Sequence, residues 1–285
     1  MRSLARPGVV VAVVLTLLGA AGSTIAVEKE EPVNPLACRL ANYKQFQDIA
    51  LSHLQSIGIK YVFMNVPKPS EVDAVMKRLA EHDLVPLVIR GNAQLSQPDG
   101  LKQLAVQLET CERMGVKYMF VSAKRHEMSK EAFYKRLHQA GELAKKHGVT
   151  ITLETHPDLG TNADVQLETM KQVNHPNIRV NFDSANIHYW NRNREAVTEL
   201  RKIVDYVATV EIKDHNGKYK TWCFPTLGQG IVDIPGVLKV LKEHGYTGPI
   251  TMEIEGIEGV PCDQATVKKT MADSAAHLRS LGSFK

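Results

Sequence analysis

The sequence predicts a single (β/α)8 barrel of the α/β class, because one pattern recurs from residue 35 onwards. A short apolar and β-branched segment is followed each time by a polar junction and an amphipathic segment of helical length. Continuously apolar strands are typical of parallel sheets that helices cover on both faces. Eight such units in roughly 250 residues fit a closed barrel better than an open doubly wound sheet. The chain also has no G-x-G-x-x-G motif and no P-loop.

The expected elements follow one another without a linker rich in Gly, Pro or Ser. We predict strands at residues 36–40, 61–65, 85–90, 118–122, 149–154, 178–183, 207–213 and 250–253. Helices are expected near residues 44–56, 70–82, 100–114, 130–146, 164–174, 194–203, 234–244 and 264–281. The first strand is the least regular, because Pro35 and the Cys38-Arg39 pair interrupt it. Glycines suited to left-handed C-caps end several helices, namely Gly58, Gly115, Gly148 and Gly245.

The N-terminus has the pattern of a secretory signal peptide. Residues 1–8 contain Arg2 and Arg6 but no acid, and residues 9–21 are almost entirely apolar. This apolar segment is shorter than the ~20 residues that a membrane-spanning helix needs. We therefore expect a signal peptide at residues 1–26, a mature barrel domain at 27–285, and export to the periplasm or the extracellular medium without a stable membrane anchor. An uncleaved N-terminal anchor is the alternative.

Composition and cysteine spacing narrow the function classes. The 35 Lys and Arg residues against 31 Asp and Glu give a formal charge of +4, which does not indicate a nucleic-acid surface. We expect no nucleic-acid partner.

The cysteines have no C-x-x-C spacing, which excludes a zinc ribbon or a thioredoxin-like site. Free buried thiols are the favoured interpretation, although export would allow disulfides, and the four residues are Cys38, Cys111, Cys223 and Cys262.

Carboxylates end four consecutive predicted strands. They are Glu154, Asp183, Glu211 and Glu253. The C-terminal strand ends of a (β/α)8 barrel carry its chemistry, and alternation of side chains along each strand lets all four acids point into the mouth. Converging carboxylates repel one another in a partly dehydrated site unless a cation neutralises them. Oxygen ligands alone favour Mg²⁺ or Mn²⁺ over Zn²⁺.

Cationic side chains offer an alternative to a metal. Lys213, Lys124 and Arg90 all lie at predicted strand ends and could pair with the acids so that no ion binds. The metal is the favoured interpretation. We also predict that His156, His188 and Lys213 contact a substrate, the alternative for the histidines being hydrogen bonds to loop backbone.

Five motifs in order resemble the sugar phosphate isomerase/epimerase family, whose members are xylose isomerase-like TIM barrels. They are Glu-Thr-His at 154–156, Asn-Phe-Asp-Ser-Ala-Asn at 181–186, Glu-Ile-Lys-Asp at 211–214, Phe-Pro-Thr-Leu-Gly-Gln-Gly-Ile-Val-Asp at 224–233 and Gly-Tyr-Thr-Gly-Pro-Ile-Thr-Met-Glu at 245–253. The resemblance implies a divalent metal, commonly Mn²⁺, Mg²⁺ or Co²⁺, on Glu154, Asp183, Glu253 and a strand-seven residue. It also implies that Glu154 and Glu253 remove and return the proton α to a ketose carbonyl.

Two departures from the family matter. Many relatives have His where this chain has Glu211, and some ketose epimerases have His where it has Asn186. A carboxylate ligand shifts the preference toward Mg²⁺ or Mn²⁺, or else Glu211 binds no metal and pairs with Lys213 or Lys124. The barrel further implies that any disulfide joins Cys223 and Cys262, which follow neighbouring strands at one rim.

The leading hypothesis is an exported, divalent-metal-dependent isomerase or epimerase of a small carbohydrate, acting through an enediolate. Export favours a free sugar or keto-sugar over a sugar phosphate. A lyase or hydrolase that uses the same metal site and a non-catalytic carbohydrate-binding protein are the alternatives. An endonuclease acting at abasic DNA sites is disfavoured by the nearly neutral charge. Related barrels often dimerise, which leaves a homo-oligomer open.

Overall fold

Eight parallel strands close into a barrel within residues 33–285, the part of the chain that the computed structural model describes. The expected signal peptide lies outside these residues. In chain order the barrel strands are β1 (Leu36–Arg39), β2 (Tyr61–Asn65), β3 (Val85–Arg90), β4 (Tyr118–Val121), β5 (Thr150–Glu154), β6 (Ile178–Asp183), β7 (Val207–Ile212) and β9 (Ile250–Met252). β1 pairs with both β2 and β9, which closes the barrel. All eight predicted strands are confirmed, including the irregular first one.

Helices follow the strands as the sequence predicted. They are α1 (Ala50–Ser56), α2 (Val72–Ala80), α3 (Gly100–Arg113), α4 (Lys130–Lys146), α5 (Ala163–Val173), α6 (Asn186–Trp190), α7 (Ala196–Ile203), α8 (Ile234–Glu243) and α9 (Gln264–Leu281). The short helix α6 was not predicted. Short 3-10 segments span Leu40–Ile49, Pro69–Glu71 and Val204–Tyr206. Among the described residues, no helix combines the length and the apolar character that crossing a membrane requires.

The first predicted helix is the clearest local error. The sequence predicted a regular helix from residue 44, whereas Leu40–Ile49 forms a 3-10 segment that is kinked at Lys44, where φ is 51°. The cause is a tertiary contact at Asn42, whose side chain bonds the backbone of Met252 and Ile254. This contact ties the segment after β1 to the end of β9, and helical periodicity does not encode it.

Burial separates an inner from an outer core. Phe63, Val88 and Phe120 form a small cluster of their own, with the two phenylalanine ring centroids 5.3 Å apart. The much larger second cluster packs the strands against the helices.

The predicted glycine C-caps are confirmed, because Gly58, Gly115, Gly148 and Gly245 all have φ between 64° and 70°.

The four thiols are unpaired. Cys38 and Cys111 are buried, as expected of free thiols, and burial raises the pKa of each to about 12. Cys223 and Cys262 are only half buried and form no disulfide, so the pairing implied for them is not found. Cys223 instead sits in β8 (Cys223–Phe224), opposite Ile257 of β10 (Gly256–Ile257). This two-stranded antiparallel sheet on the rim was not predicted.

A buried aspartate organises the loop between β8 and α8. Asp214 accepts hydrogen bonds from the backbone N–H groups of Gly228, Gly230 and Val232 at 3.0, 2.8 and 3.1 Å. A Cβ atom on Gly230 would lie 2.1 Å from Oδ1 of Asp214 and 2.5 Å from the carbonyl oxygen of His215. The second glycine of the Gly-Gln-Gly motif is therefore required by the close approach of Asp214.

We expect Gly230→Ala to lower the free energy of unfolding by about 2 kcal/mol, because overpacking against a buried group displaces the loop. Urea denaturation followed by circular dichroism measures the change. Gly282→Ala is the matched control, since no atom lies within 4 Å of its added methyl group and its backbone is extended. Equal stability of the two variants would contradict the role assigned to Asp214.

Candidate active site

Three buried acids meet at the C-terminal mouth of the barrel. Asp183 ends β6, Glu211 lies in β7 and Glu253 follows β9, and their exposed fractions are 0%, 1% and 5%. One carboxylate oxygen from each lies within 4.8 Å of the others. The strand register explains the meeting, because Asp183 is paired with Glu211 across β6 and β7. Three of the four predicted acids therefore lie together at the ends of the neighbouring parallel strands β6, β7 and β9.

Glu154, the fourth predicted acid, faces the same mouth from β5 but stands outside the group of three. It is half buried, and one of its carboxylate oxygens accepts a hydrogen bond from the hydroxyl of Ser122, which follows β4. Burial is the main cause that raises the pKa of Glu211, and the charge of Glu154 adds to that rise. Glu154 is therefore a neighbour of the buried group.

Asp183 has one satisfied and one orphaned oxygen. Its Oδ1 accepts hydrogen bonds from the N–H groups of Ala185 and Asn186, both at 2.9 Å. Its Oδ2 is buried and has no hydrogen-bond partner, and the nearest cation is the ammonium of Lys213 at 3.7 Å. Burial raises the pKa of Asp183 to about 7. A buried carboxylate oxygen without a partner is the kind of atom that a bound cation satisfies.

Glu211 is fully occupied by side chains. Its Oε2 accepts a hydrogen bond from Nδ2 of Asn181 at 2.8 Å, and the amide oxygen of Asn181 in turn accepts one from the Thr209 hydroxyl at 2.7 Å. Its Oε1 lies 3.1 Å from the guanidinium of Arg39. Burial raises the pKa of Glu211, while the charge of Arg39 acts in the opposite direction. Asn181 and Arg39 together hold this carboxylate in one orientation.

Two cations compensate the buried acids. The ammonium of Lys213 lies 3.3 Å from Glu253 and also contacts Glu255, which confirms that Lys213 pairs with the acids. The second cation is Arg39 at the end of β1, whose guanidinium contacts both Glu211 and Glu253.

The sequence reasoning missed Arg39 and named Arg90 and Lys124 instead. Within residues 33–285, neither Arg90 nor Lys124 pairs with these acids. The sequence does contain an indication of this role, because Arg39 is a charged residue at the C-terminal end of an otherwise apolar strand.

The buried donor set consists of carboxylate oxygens, which can bind a divalent ion, and a guanidinium occupies part of it. Three carboxylates offer oxygen atoms within 4.8 Å of one another, and Oδ2 of Asp183 has no hydrogen-bond partner. The buried acidic triad could therefore hold a metal. Arg39 already binds Glu211 and Glu253, so both acids can become metal ligands only if the guanidinium withdraws.

The predicted substrate-contacting histidines lie in the loops around the mouth. His156 donates from Nδ1 to the carbonyl oxygen of Pro157 at 2.6 Å, and its ring centroid is 4.7 Å from that of Trp190. His188, in α6, has a buried Nε2 without a hydrogen bond, 4.0 Å from a carboxylate oxygen of Glu195. Burial lowers the pKa of His188. Within the described region, no hydrogen bond joins either ring to the four acids.

Comparison with known proteins identifies the family. Residues 51–281 match the family model described as xylose isomerase-like TIM barrel, so the chain belongs to this family. The resemblance that the strand-end motifs carried is confirmed.

The named relatives include an isomerase and an epimerase. The inosose isomerase of Bacillus subtilis is 28% identical over 193 residues, which are 61% of this chain and 68% of the relative. The L-ribulose-5-phosphate 3-epimerase of Shigella flexneri is 24% identical over 185 residues, 62% of each protein. The chain covers 43%, 59% and 62% of the length of three of the curated relatives that it matches.

Solved structures share the fold. The xylose isomerase domain protein from Planctomyces limnophilus has a TM-score of 0.72 at 22% identity, over 88% of this chain and 98% of that one. The IolI protein with a bound zinc atom has a TM-score of 0.69 at 19% identity, over 87% of this chain and 97% of that one. At these identities the similarity shows the architecture of the barrel.

The raised pKa of Asp183 predicts how stability depends on pH in metal-free protein. Its value of about 7 lies above the ~3.9 of an unfolded aspartate, so the folded state binds more protons between these two values. The free energy of unfolding therefore falls as pH rises through this interval, by up to ~1.4 kcal/mol per pH unit from this group. We expect Asp183→Asn to flatten that slope in urea denaturation of chelator-treated protein.

Asp73→Asn is the control for this measurement, because its side chain is 95% exposed. It should leave the pH slope unchanged. If the free energy of unfolding falls with pH equally steeply in the parent and in Asp183→Asn, the pKa of Asp183 is not raised and the prediction is wrong.

Proposed function

We propose that this protein is a divalent-metal-dependent isomerase or epimerase of a sugar or keto-sugar, with Mn²⁺ or Mg²⁺ as the ion. The observation that carries the proposal is the buried group of Asp183, Glu211 and Glu253 at the mouth of a xylose isomerase-like barrel. An ion held by these acids would polarise substrate oxygens and stabilise negative charge that develops on them. The isomerase and epimerase names of two relatives support the reaction class.

Glu154 is the side chain that we assign to the removal of the carbon-bound proton. It is half buried, so a substrate can reach it, and its partner is the neutral hydroxyl of Ser122 rather than a cation. A carboxylate that no cation holds keeps an oxygen available as a general base. Removal of the proton α to a carbonyl leaves an enediolate, which the cationic groups of the mouth would stabilise.

Glu253 is the second proton-transfer group. β6 and β7 separate β5 from β9 around the barrel, so Glu154 and Glu253 approach a bound substrate from different sides. This arrangement suits an epimerase, in which the proton leaves one face and returns to the other. Glu253 contacts the ammonium of Lys213, which would hold its carboxylate in place beside the substrate.

The test is proton exchange with free ketoses. The protein, loaded with Mn²⁺, is incubated in deuterated water with a panel of unphosphorylated ketopentoses and ketohexoses, and NMR follows deuterium at the carbon next to the carbonyl. We expect exchange in the parent and a loss of about 10²-fold or more in Glu154→Gln, the range for removal of a general base. Glu131→Gln, on the exposed first turn of α4, should exchange at the parental rate.

The same experiment separates the other candidate reactions. A lyase or hydrolase acting on a keto-glycoside would give two products from one substrate, whereas epimerisation conserves mass. A non-catalytic carbohydrate-binding protein would bind ketoses without any exchange. One observation favours this last candidate, because Arg39 and Lys213 already neutralise the acids. Exchange in the parent that survives Glu154→Gln would contradict the assignment of Glu154.

Export forms part of the proposal. Two arginines followed by the apolar segment 9–21 support a cleaved signal peptide. Expression of the full chain in a bacterial host should give a periplasmic or secreted protein whose N-terminus follows Ala26. An intact N-terminus, found by mass spectrometry on protein that stays with the membrane fraction, would instead identify an uncleaved anchor.

A further inference from the structure

Arg39 lies outside the five motifs that resemble the family, although its guanidinium contacts the buried acids of the mouth. Its guanidinium lies 3.1 Å from Glu211 and also contacts Glu253, so it bridges two of the three acids of the buried group. The residue is 9% exposed. The planar guanidinium has several N–H donors and so can contact two carboxylates at once.

Two aromatic rings pack against the guanidinium of Arg39. Its central carbon lies 4.8 Å from the ring centroid of Phe63 and 5.3 Å from that of Phe120, the two rings of the inner core. Cation–π contacts of this kind stabilise a desolvated guanidinium. The rings do not depend on the acids, so the side chain keeps a supporting surface even when its carboxylate partners are engaged elsewhere.

The acids themselves differ in how far they are satisfied. Glu211 has partners on both oxygens, Arg39 on one and Asn181 on the other, whereas Oδ2 of Asp183 has none. Oδ2 of Asp183 therefore has a free hydrogen-bonding position, with the ammonium of Lys213 3.7 Å away. The guanidinium of Arg39 is in direct contact with Glu211 and Glu253.

A cavity beside Arg39 provides space into which the guanidinium can move. It has a volume of about 140 Å³ and is lined by Arg39, Gln47, Phe63 and Asn65 among others. The side-chain amides of Gln47 and Asn65 carry carbonyl oxygens that can accept hydrogen bonds from a guanidinium. The cavity thus offers polar partners next to the ring of Phe63.

We propose that Arg39 is a built-in counter-ion that competes with the divalent metal for Glu211 and Glu253, and that metal binding moves its guanidinium into the adjoining cavity. This inference rests on the proposed metal site. When the metal leaves, Arg39 returns and keeps the two buried acids paired. The metal is consequently held less tightly than three buried carboxylates alone would hold it.

The test is the affinity of metal-stripped protein for Mn²⁺ alone, measured by electron paramagnetic resonance of the free ion. We expect Arg39→Gln to lower the dissociation constant by about tenfold or more, because it removes a positive charge at the site. Arg39→Lys keeps a positive charge there and should stay within about threefold of the parent. Arg201→Gln, which removes an exposed arginine paired with Glu243, is the charge-matched control and should not change the affinity.

Arg39→Met is measured in parallel, because its unbranched side chain can keep packing on Phe63 and Phe120 if the glutamine variant folds poorly. Either neutral variant should also show a larger rise in melting temperature on addition of Mn²⁺ than the parent. Binding of Mn²⁺ by the parent with equal or weaker affinity in both neutral variants would overturn the role of Arg39 and leave the metal site standing. Absence of Mn²⁺ binding in the parent and in both variants would overturn both proposals.

Discussion

The structure depends on how negative charge is compensated where the barrel strands end. Asp183, Glu211 and Glu253 are removed from water within a few ångströms of one another, and buried charges persist only when they are paired or when they neutralise by binding protons. Both responses are present, since Arg39 and Lys213 pair with the acids and the pKa of Asp183 is raised to about 7. A divalent ion is a third way to meet the same requirement.

The register of the barrel strands determines which acidic side chains lie next to one another. Asp183 and Glu211 are register partners on β6 and β7, and Glu253 lies two residues beyond Thr251, the β9 partner of Glu211, on the same face of that strand. Loops then complete the mouth. Asp214 accepts hydrogen bonds from backbone N–H groups of the loop after β8. The antiparallel pair of β8 and β10 forms the rim that follows Glu253 in the chain. The buried acids and the loops around them therefore lie at one end of the barrel.

The barrel could be predicted from the sequence because apolar strands, amphipathic helices and glycine C-caps are local signals. Three of the four predicted acids lie together because one periodicity governs all strands of a barrel. What could not be predicted depends on contacts between distant segments. The kink at Lys44 follows from Asn42 binding the chain near β9, and the pairing of Arg39 with Glu211 joins β1 to β7. No local pattern reports such distances.

The central claim, that the buried acids share one divalent ion, is tested most directly by anomalous diffraction from crystals soaked in Mn²⁺. The account predicts one anomalous peak per chain, within coordination distance of Asp183, with the guanidinium of Arg39 displaced toward the cavity near Gln47 and Asn65. A mouth in which Arg39 and Lys213 keep their carboxylate contacts and no anomalous peak lies near Asp183 would contradict it.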